Sequence, residues 1–309
     1  MKVRIGTRGS KLALWQAHYV EAKLQAAGFE TEIVTIETKG DKILDVSIAK
    51  IGSKGVFTEE IEEQLADGRI DIAVHSAKDM QSTLPHGFEL IAFMERETPN
   101  DVIVSDDQSV SLESAEILLG TSSTRRIATL KAKYPHIKTV PVRGNLQTRI
   151  KKMRDGACDA LLLAFAGVHR MKEDDLIVEH LSLEEFTPAV GQGSVAIEVH
   201  STIDPLKKEK LQNVLNDPKT AICLKAERSF LRTMDGGCSI PVFGHAFLKG
   251  DQIEMEAGII SLDGSIEVRR KKSGSKDNPL KLGFELASEV LTSGGKEILE
   301  EIKKEINEK

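Results

Sequence analysis

Aromatic residues make up only 4% of the 309-residue chain, with one tryptophan and two tyrosines. So few rings leave little for stacking on unpaired bases. A net charge of −6 gives no general attraction for phosphate backbones either, which excludes a nucleic-acid partner and makes any positive surface local. Cysteine is just as scarce. Cys158, Cys223 and Cys238 are an odd number with no close pair, which argues against a disulfide framework and a cysteine zinc site. Reduced thiols in the cytoplasm are the expectation. No apolar run approaches the roughly 20 residues of a membrane-spanning helix. MKVRIGTRGS opens on a strand pattern without an apolar h-region, so no signal peptide is expected. Neither G-x-x-x-x-G-K-[ST] nor G-x-G-x-x-G occurs, and no histidine or cysteine spacing suits a metal.

What is present is a globular composition, 40% hydrophobic and 29% charged, on a chain too long for one ordinary core. KVRIGT (2–7) reads as a strand, and the next segment as a helix with Ser10 as N-cap and Gly28 as stop. TEIVTIET (31–38) is a β-branched strand. Residues 39–57 read as a long loop of the kind that serves as a functional lid. A short helix from Thr58 to Gly68 leads into the buried strand IDIAVHSA, and strands at 88–94 and 101–105 flank a crossing near Pro99. The plan then restarts. EILLGTSSTRR and IKTVPVRGNLQTRIKKMRDG are each strand, turn and helix, and CDALLLAFAG is a strand entering a helix. IGTRGS is echoed by LGTSST, and DGRIDIAV by DGACDALL. The echo predicts two similar α/β lobes around a cleft. PAVGQG crosses into another strand, followed by a helix near 205–215. Beyond Asp217 a helix, a three-stranded meander with KGD and LDG turns, SGSKDN as a loop, and a helical end broken at SGG predict a small α+β domain.

Arg8 lies in the first strand-to-helix turn, Arg125 and Arg126 in a second, Arg143 after a strand, Arg149 on the following helix, and Arg170 just beyond AFAG. Strand ends and helix N-termini are where α/β sheets collect anions, and guanidinium groups grip carboxylates in pairs of hydrogen bonds. Together with the hydroxyls of Ser10, Ser122, Ser123 and Thr124, the arginines predict a ligand carrying several negative charges. The plainer alternative is a set of solvated surface arginines. His75, Lys78 and Asp79 stand at the end of a buried strand. An acid there can face a developing cation or exchange a proton, or it can simply cap a turn or pair with Lys78. His75 reads as a structural hydrogen-bonder. In DGGCSIPV (235–242) the glycines leave the thiol of Cys238 uncovered, reactive or idle, whereas Cys158 and Cys223 sit in apolar, core-like contexts.

TRGSKLALWQ, HSAKD, GTSSTRR, VRGNLQTR, PAVGQG and GGCSIPV follow one another in an order that resembles the porphobilinogen deaminase, or hydroxymethylbilane synthase, family over nearly the whole chain. The resemblance implies an α/β fold of three domains, the first two like type II periplasmic binding protein lobes and the third a small α+β domain with an antiparallel sheet. The implied bounds are 1–95 with 194–213, then 99–189, then 217–309, the last carrying the cysteine. It implies stepwise head-to-tail joining of four porphobilinogen molecules, with loss of ammonia and release of 1-hydroxymethylbilane, on a dipyrromethane cofactor held by a thioether at Cys238. Asp79 takes the catalytic position. Lys78, Asp79, Ser123, Arg125, Arg126, Gly144 and Asn145 fall on cofactor-binding positions, and Arg8, Ser10, Lys54, Arg143, Arg149, Arg170 and Gln192 on substrate-binding ones. A cytoplasmic monomer without metal, membrane or nucleic acid completes the expectation. Two departures stand out: Met80-Gln81 where the family commonly has Val-Pro, and Asn100 where an arginine is common. The competing reading is an anion-binding receptor of the same two-lobed shape, in which Cys238 would have no purpose.

Overall fold

The structure is a computed structural model that describes residues 1–42, 58–114, 116–237 and 240–307. Lys54 and Cys238 lie outside these residues, as does most of the expected 39–57 loop, of which Lys39–Lys42 forms a single helical turn.

Two five-stranded sheets share one plan. The first contains β1 (Lys2–Arg8), β2 (Glu30–Ile36), β3 (Ile72–Ser76), β4 (Phe88–Phe93) and β10 (Val195–His200), in the order β2-β1-β3-β10-β4. The second contains β5 (Asp101–Val104), β6 (Leu118–Gly120), β7 (Lys138–Val140), β8 (Ala160–Ala164) and β9 (Ile177–His180), in the order β7-β6-β8-β5-β9. In each, the first three strands are mutually parallel and the fourth runs antiparallel to its neighbours. The echoed motifs occupy equivalent places, IGTRGS on β1 and LGTSST on β6, with β3 and β8 third in order. Strand β9 escapes sequence reading. IVEH is short and half polar, and its pairing with β5 at the sheet edge makes it a strand.

Both faces of these sheets are covered at their centres, so the inner strands β3 and β8 are buried along almost their whole length. Along β8, Ala160 and Leu162 enter one core cluster while Leu161 and Leu163 enter another, following the strand's alternation. Helices α1 (Lys11–Ala26), α2 (Glu59–Ala66), α3 (Thr124–Lys133), α4 (Leu146–Arg154) and α5 (Phe165–Arg170) join the strands. Helix α6 (Pro205–Leu215) packs against α1 and β4. The chain crosses between the sheets twice, after β4 and before β10.

Helix α7 (Pro218–Thr233) opens the last unit, capped by Asp217 with proline at its start. β11 (Val242–Lys249), β12 (Gln252–Ile260) and β13 (Glu267–Ser275) form an antiparallel meander, followed by α8 (Pro279–Val290) and α9 (Lys296–Asn307). Phe230, Met255, Leu286 and Ile298 share its core. β13 runs on to Ser275, so the first half of SGSKDN is strand rather than loop. The helical end kinks at Gly294, whose φ of 105° fits glycine. Among the described residues, no helix is long and apolar enough to cross a membrane.

Candidate active site

Three helix N-termini follow the ends of β1, β6 and β7, each capped by a side chain. Ser10 Oγ accepts from Ala13 N at 3.3 Å, Ser123 Oγ from Arg126 N at 3.5 Å, and Asn145 Oδ1 from Thr148 N at 2.9 Å. Gly144 reaches the last of these with a φ of 115°, and a β-carbon there would lie 2.7 Å from Thr148. Its carbonyl accepts from Arg149 Nε at 2.7 Å. Thr58 precedes α2 as expected, but its side chain makes no cap and its hydroxyl accepts from Gln81 instead.

At the first N-terminus lies an open cleft lined by residues that include Arg8, Ser10, Gln16, Thr58, His75 and Asp79. Asp79 ends a single tight turn, Ala77–Asp79, directly after β3. Its carboxylate is exposed to the cleft, and among the described residues it makes no hydrogen bond or ion pair, so it neither caps a helix nor bridges to Lys78. Lys78 and Arg149 still feel its charge. His75 is buried and bonds through Nε2 to Glu198 Oε2 at 3.0 Å, the structural role its position suggested.

Lys78 keeps part of its surface open, yet the protein around its ammonium pushes its pKa down to about 8, helped by Arg126 and Arg125 and opposed by Asp79 and Asp101. Arg125 and Arg126 are buried and clamp Asp101 from two sides, at 2.7 Å and 2.6 Å. Burial alone would raise the Asp101 carboxyl; the two guanidinium groups outweigh it and hold the carboxyl well below the usual carboxylate range. Sequence alone marks both arginines as anion grips and does not mark Asp101 as their partner. An acid opening the buried strand DVIV was its only signal. Gln192 donates to Asp101 Oδ1 at 2.9 Å and to the Pro99 carbonyl at 2.6 Å, and accepts from Lys78 Nζ at 3.5 Å. Burial, together with Arg126 and Arg143, lowers the pKa of Arg149. Lys78, Asp79, Ser123, Arg125, Arg126, Gly144, Asn145, Arg143, Arg149 and Gln192 thus belong to one charged neighbourhood drawn from both lobes, with Arg8 and Ser10 at its cleft.

Arg170 sits differently. It donates to the Gly193 carbonyl at 2.7 Å and lies over the Trp15 ring at 5.2 Å, bracing the second crossing. Asn100 donates to the Leu181 carbonyl at 2.8 Å. A further unforeseen node is Glu227. It is fully buried on α7 and accepts from Arg96, Gly191 N and Ala246 N. Its legible signal was an acid at helical spacing among Leu224 and Phe230. Burial pushes the Cys223 thiol up to about 11 and raises that of Cys158, so neither is a ready thiolate.

The chain matches two family profiles. One is described as "Porphobilinogen deaminase, dipyromethane cofactor binding domain", over residues 3–208, and the other as "Porphobilinogen deaminase, C-terminal domain", over residues 221–292. It is 52% identical over 307 residues to the porphobilinogen deaminase of Desulfosudis oleivorans, covering 99% of each chain. With that of Cytophaga hutchinsonii it shares 56% identity over 303 residues, covering 98% of this chain and 97% of the relative. Among solved structures, the VFT2 domain of Bordetella pertussis BvgS is 15% identical with a TM-score of 0.42, covering 70% of this chain and 85% of that one. A periplasmic substrate-binding protein of an ABC transporter from Coxiella burnetii is 13% identical with a TM-score of 0.42, covering 71% and 94%.

Proposed function

The chain belongs to the porphobilinogen deaminase family, and from that premise we propose that Asp79 and the cations around it build the tetrapyrrole. The enzyme is a transferase, a hydroxymethylbilane synthase, which joins four porphobilinogen molecules head to tail on a dipyrromethane cofactor and releases ammonia and 1-hydroxymethylbilane, a step of haem biosynthesis. Each pyrrole of substrate and cofactor bears an acetate and a propionate. The donor set fits such a group. Lys78, Arg125, Arg126 and Arg149 outnumber Asp79 and Asp101, and the Nε atoms of Arg125 and Arg126 are buried donors without a partner among the described residues.

In this proposal Lys78, Asp79, Ser123, Arg125, Arg126, Gly144 and Asn145 hold the cofactor, and Arg8, Ser10, Arg143, Arg149, Arg170, Gln192 and Lys54 the incoming substrate, with Arg170 also bracing the crossing. Bound through a thioether at Cys238, the dipyrromethane supplies the pyrrole carbon on which the chain grows. As ammonia leaves porphobilinogen, positive charge develops on that pyrrole. The Asp79 carboxylate accepts from the pyrrole N–H and stabilises this charge, a contribution of roughly 3–4 kcal/mol for a well-placed group. The free pyrrole α-carbon of the growing chain would bond to the methylene that ammonia has left, and the same carboxylate can take the proton which that α-carbon then loses. The observation that carries the reading is Asp79 itself, exposed and unpartnered among the described residues at a buried strand's end, within the field of Lys78 and Arg149.

Intact mass tests it. The wild type should carry an excess equal to two linked pyrrole units, absent in Cys238→Ser. Asp79→Ala should keep that excess while turnover falls about 10²–10³-fold. Wild-type turnover in Asp79→Ala would remove Asp79 from the reaction.

Domain bounds of 1–95 with 194–213, 99–189 and 217–309 belong to the same proposal. They are supported by one complete sheet in each and checked by where limited proteolysis cuts. So does action as a cytoplasmic monomer, for which the buried free thiols of Cys158 and Cys223 suit a reducing compartment. A light-scattering mass of twice 33.9 kDa would refute the monomer.

A further inference from the structure

Gln81 stands two residues beyond Asp79 and bonds in two directions. Its side-chain amide donates to Thr58 Oγ1 at 3.2 Å and to Glu62 Oε1 at 3.4 Å, at the head of α2. Its carbonyl accepts from Arg228 Nη2 at 2.7 Å. Arg228 belongs to α7, which ends at Thr233, shortly before Cys238. Met80, between Gln81 and Asp79, is buried against a cluster that includes Ala77, Phe93 and Leu224, which leaves the turn little slack. Gln81 itself does not line the cleft, although Thr58 and Asp79 do. One residue thus ties the turn carrying Lys78 and Asp79 to the head of α2 and to the helix leading toward the cofactor cysteine.

We infer that Gln81 is a positioning residue, which holds the Asp79 carboxylate in register with the unit bearing the cofactor by joining its turn to α2 and α7. This rests on the reading of Asp79 as catalytic. A turn freed on one side still folds and still offers its carboxylate, but in a scattered position, and a misplacement of about 1 Å is enough to slow a positioned reaction strongly.

Gln81→Met keeps the length and the carbonyl and removes only the amide. The expected result is a kcat lowered roughly tenfold, with KM within about twofold of wild type, a full cofactor complement by intact mass and an unchanged unfolding temperature. Thr58→Val, which leaves the bond to Glu62, should lower kcat in the same direction but by less, and the double variant should be no slower than Gln81→Met alone. If Gln81→Met does not fold, Thr58→Val reads the shorter of its two bonds alone. A wild-type kcat, additive losses, or a kcat loss that follows loss of cofactor or of stability would overturn the inference. Asp79→Ala is measured alongside. If it turns over at the wild-type rate, Gln81 has nothing to position and both readings fall. If it is inactive while Gln81→Met runs at the wild-type rate, only the positioning role falls.

Discussion

Lys78 is a group in the site whose charge changes near pH 8. Burial is the main cause of its pKa of about 8, and Arg126 and Arg125 add to it. Below that pH its ammonium can hold a carboxylate; above it the charge is lost. The folded value lies below the ordinary 10.5. This group therefore makes the fold more stable as pH rises from about 8 to 10.5, while its hold on carboxylates weakens over the same start of the range. Assembly of the cofactor on cofactor-free protein should show an alkaline limb near pH 8, and Lys78→Arg should carry that limb beyond pH 10, because guanidinium stays charged. An unchanged limb in Lys78→Arg, followed by the rate of adduct formation against pH, would assign it elsewhere. Lys78 and Asp79 were legible because they are polar residues at the end of an apolar run. Asp101 was not, because its meaning depends on guanidinium groups 24 and 25 residues away that only the fold brings to it.

Elements were legible wherever local chemistry decides them. Ser10, Asn145, Asp204 and Asp217 each cap the helix they precede, and the Asp-Pro pairs fix the starts of α6 and α7. β9 was illegible because only its pairing partner makes it a strand. The crossings are a third case, since what holds them is a tertiary node. Gly191 has a φ of 79° and a β-carbon there would come within 2.9 Å of the Ala77 backbone, so the second crossing packs directly on the turn that carries Asp79. Its N–H donates to Glu227 Oε2 at 2.8 Å, and the same carboxylate pairs with Arg96 on the first crossing, so both crossings hang on α7. Removing one partner of a buried pair leaves the other charge uncompensated, which typically costs about 3–5 kcal/mol. Glu227→Ala should therefore lower the unfolding temperature markedly and slow turnover with it. Glu227→Gln, which keeps hydrogen bonds but loses the charge, should fall between that variant and the wild type. Calorimetry showing Glu227→Ala as stable as wild type would dismiss the node.

At the scale of the molecule, two lobes of like topology bring cations into one charged neighbourhood beside Asp79, and the third unit is clasped to both. Arg228 reaches Gln81 in the first lobe, and Arg269 donates to the Glu184 carbonyl and Thr187 Oγ1 at the second. The repeat in the sequence foretold the paired sheets, but not the clasp, whose partners lie far apart along the chain. The charges have a consequence for the loaded enzyme. Lys78, Arg125 and Arg149 all have lowered pKa values, chiefly from burial and also from neighbouring cations, so this neighbourhood disfavours its own positive charge. Carboxylates bound there relieve that repulsion in the folded state alone, and a ligand that binds only the folded state stabilises it. Cys238→Ser, without the cofactor, should accordingly unfold at a lower temperature than the loaded wild type, by roughly 2–4 °C for each kcal/mol lost. Raising the salt from about 0.05 M to 1 M shortens the screening length to about 3 Å, so the gap should narrow as the repulsion is screened. Equal unfolding temperatures at low salt would mean that these cations do not hold the cofactor's carboxylates, whereas a gap indifferent to salt would assign the stabilisation to packing of the pyrrole rings.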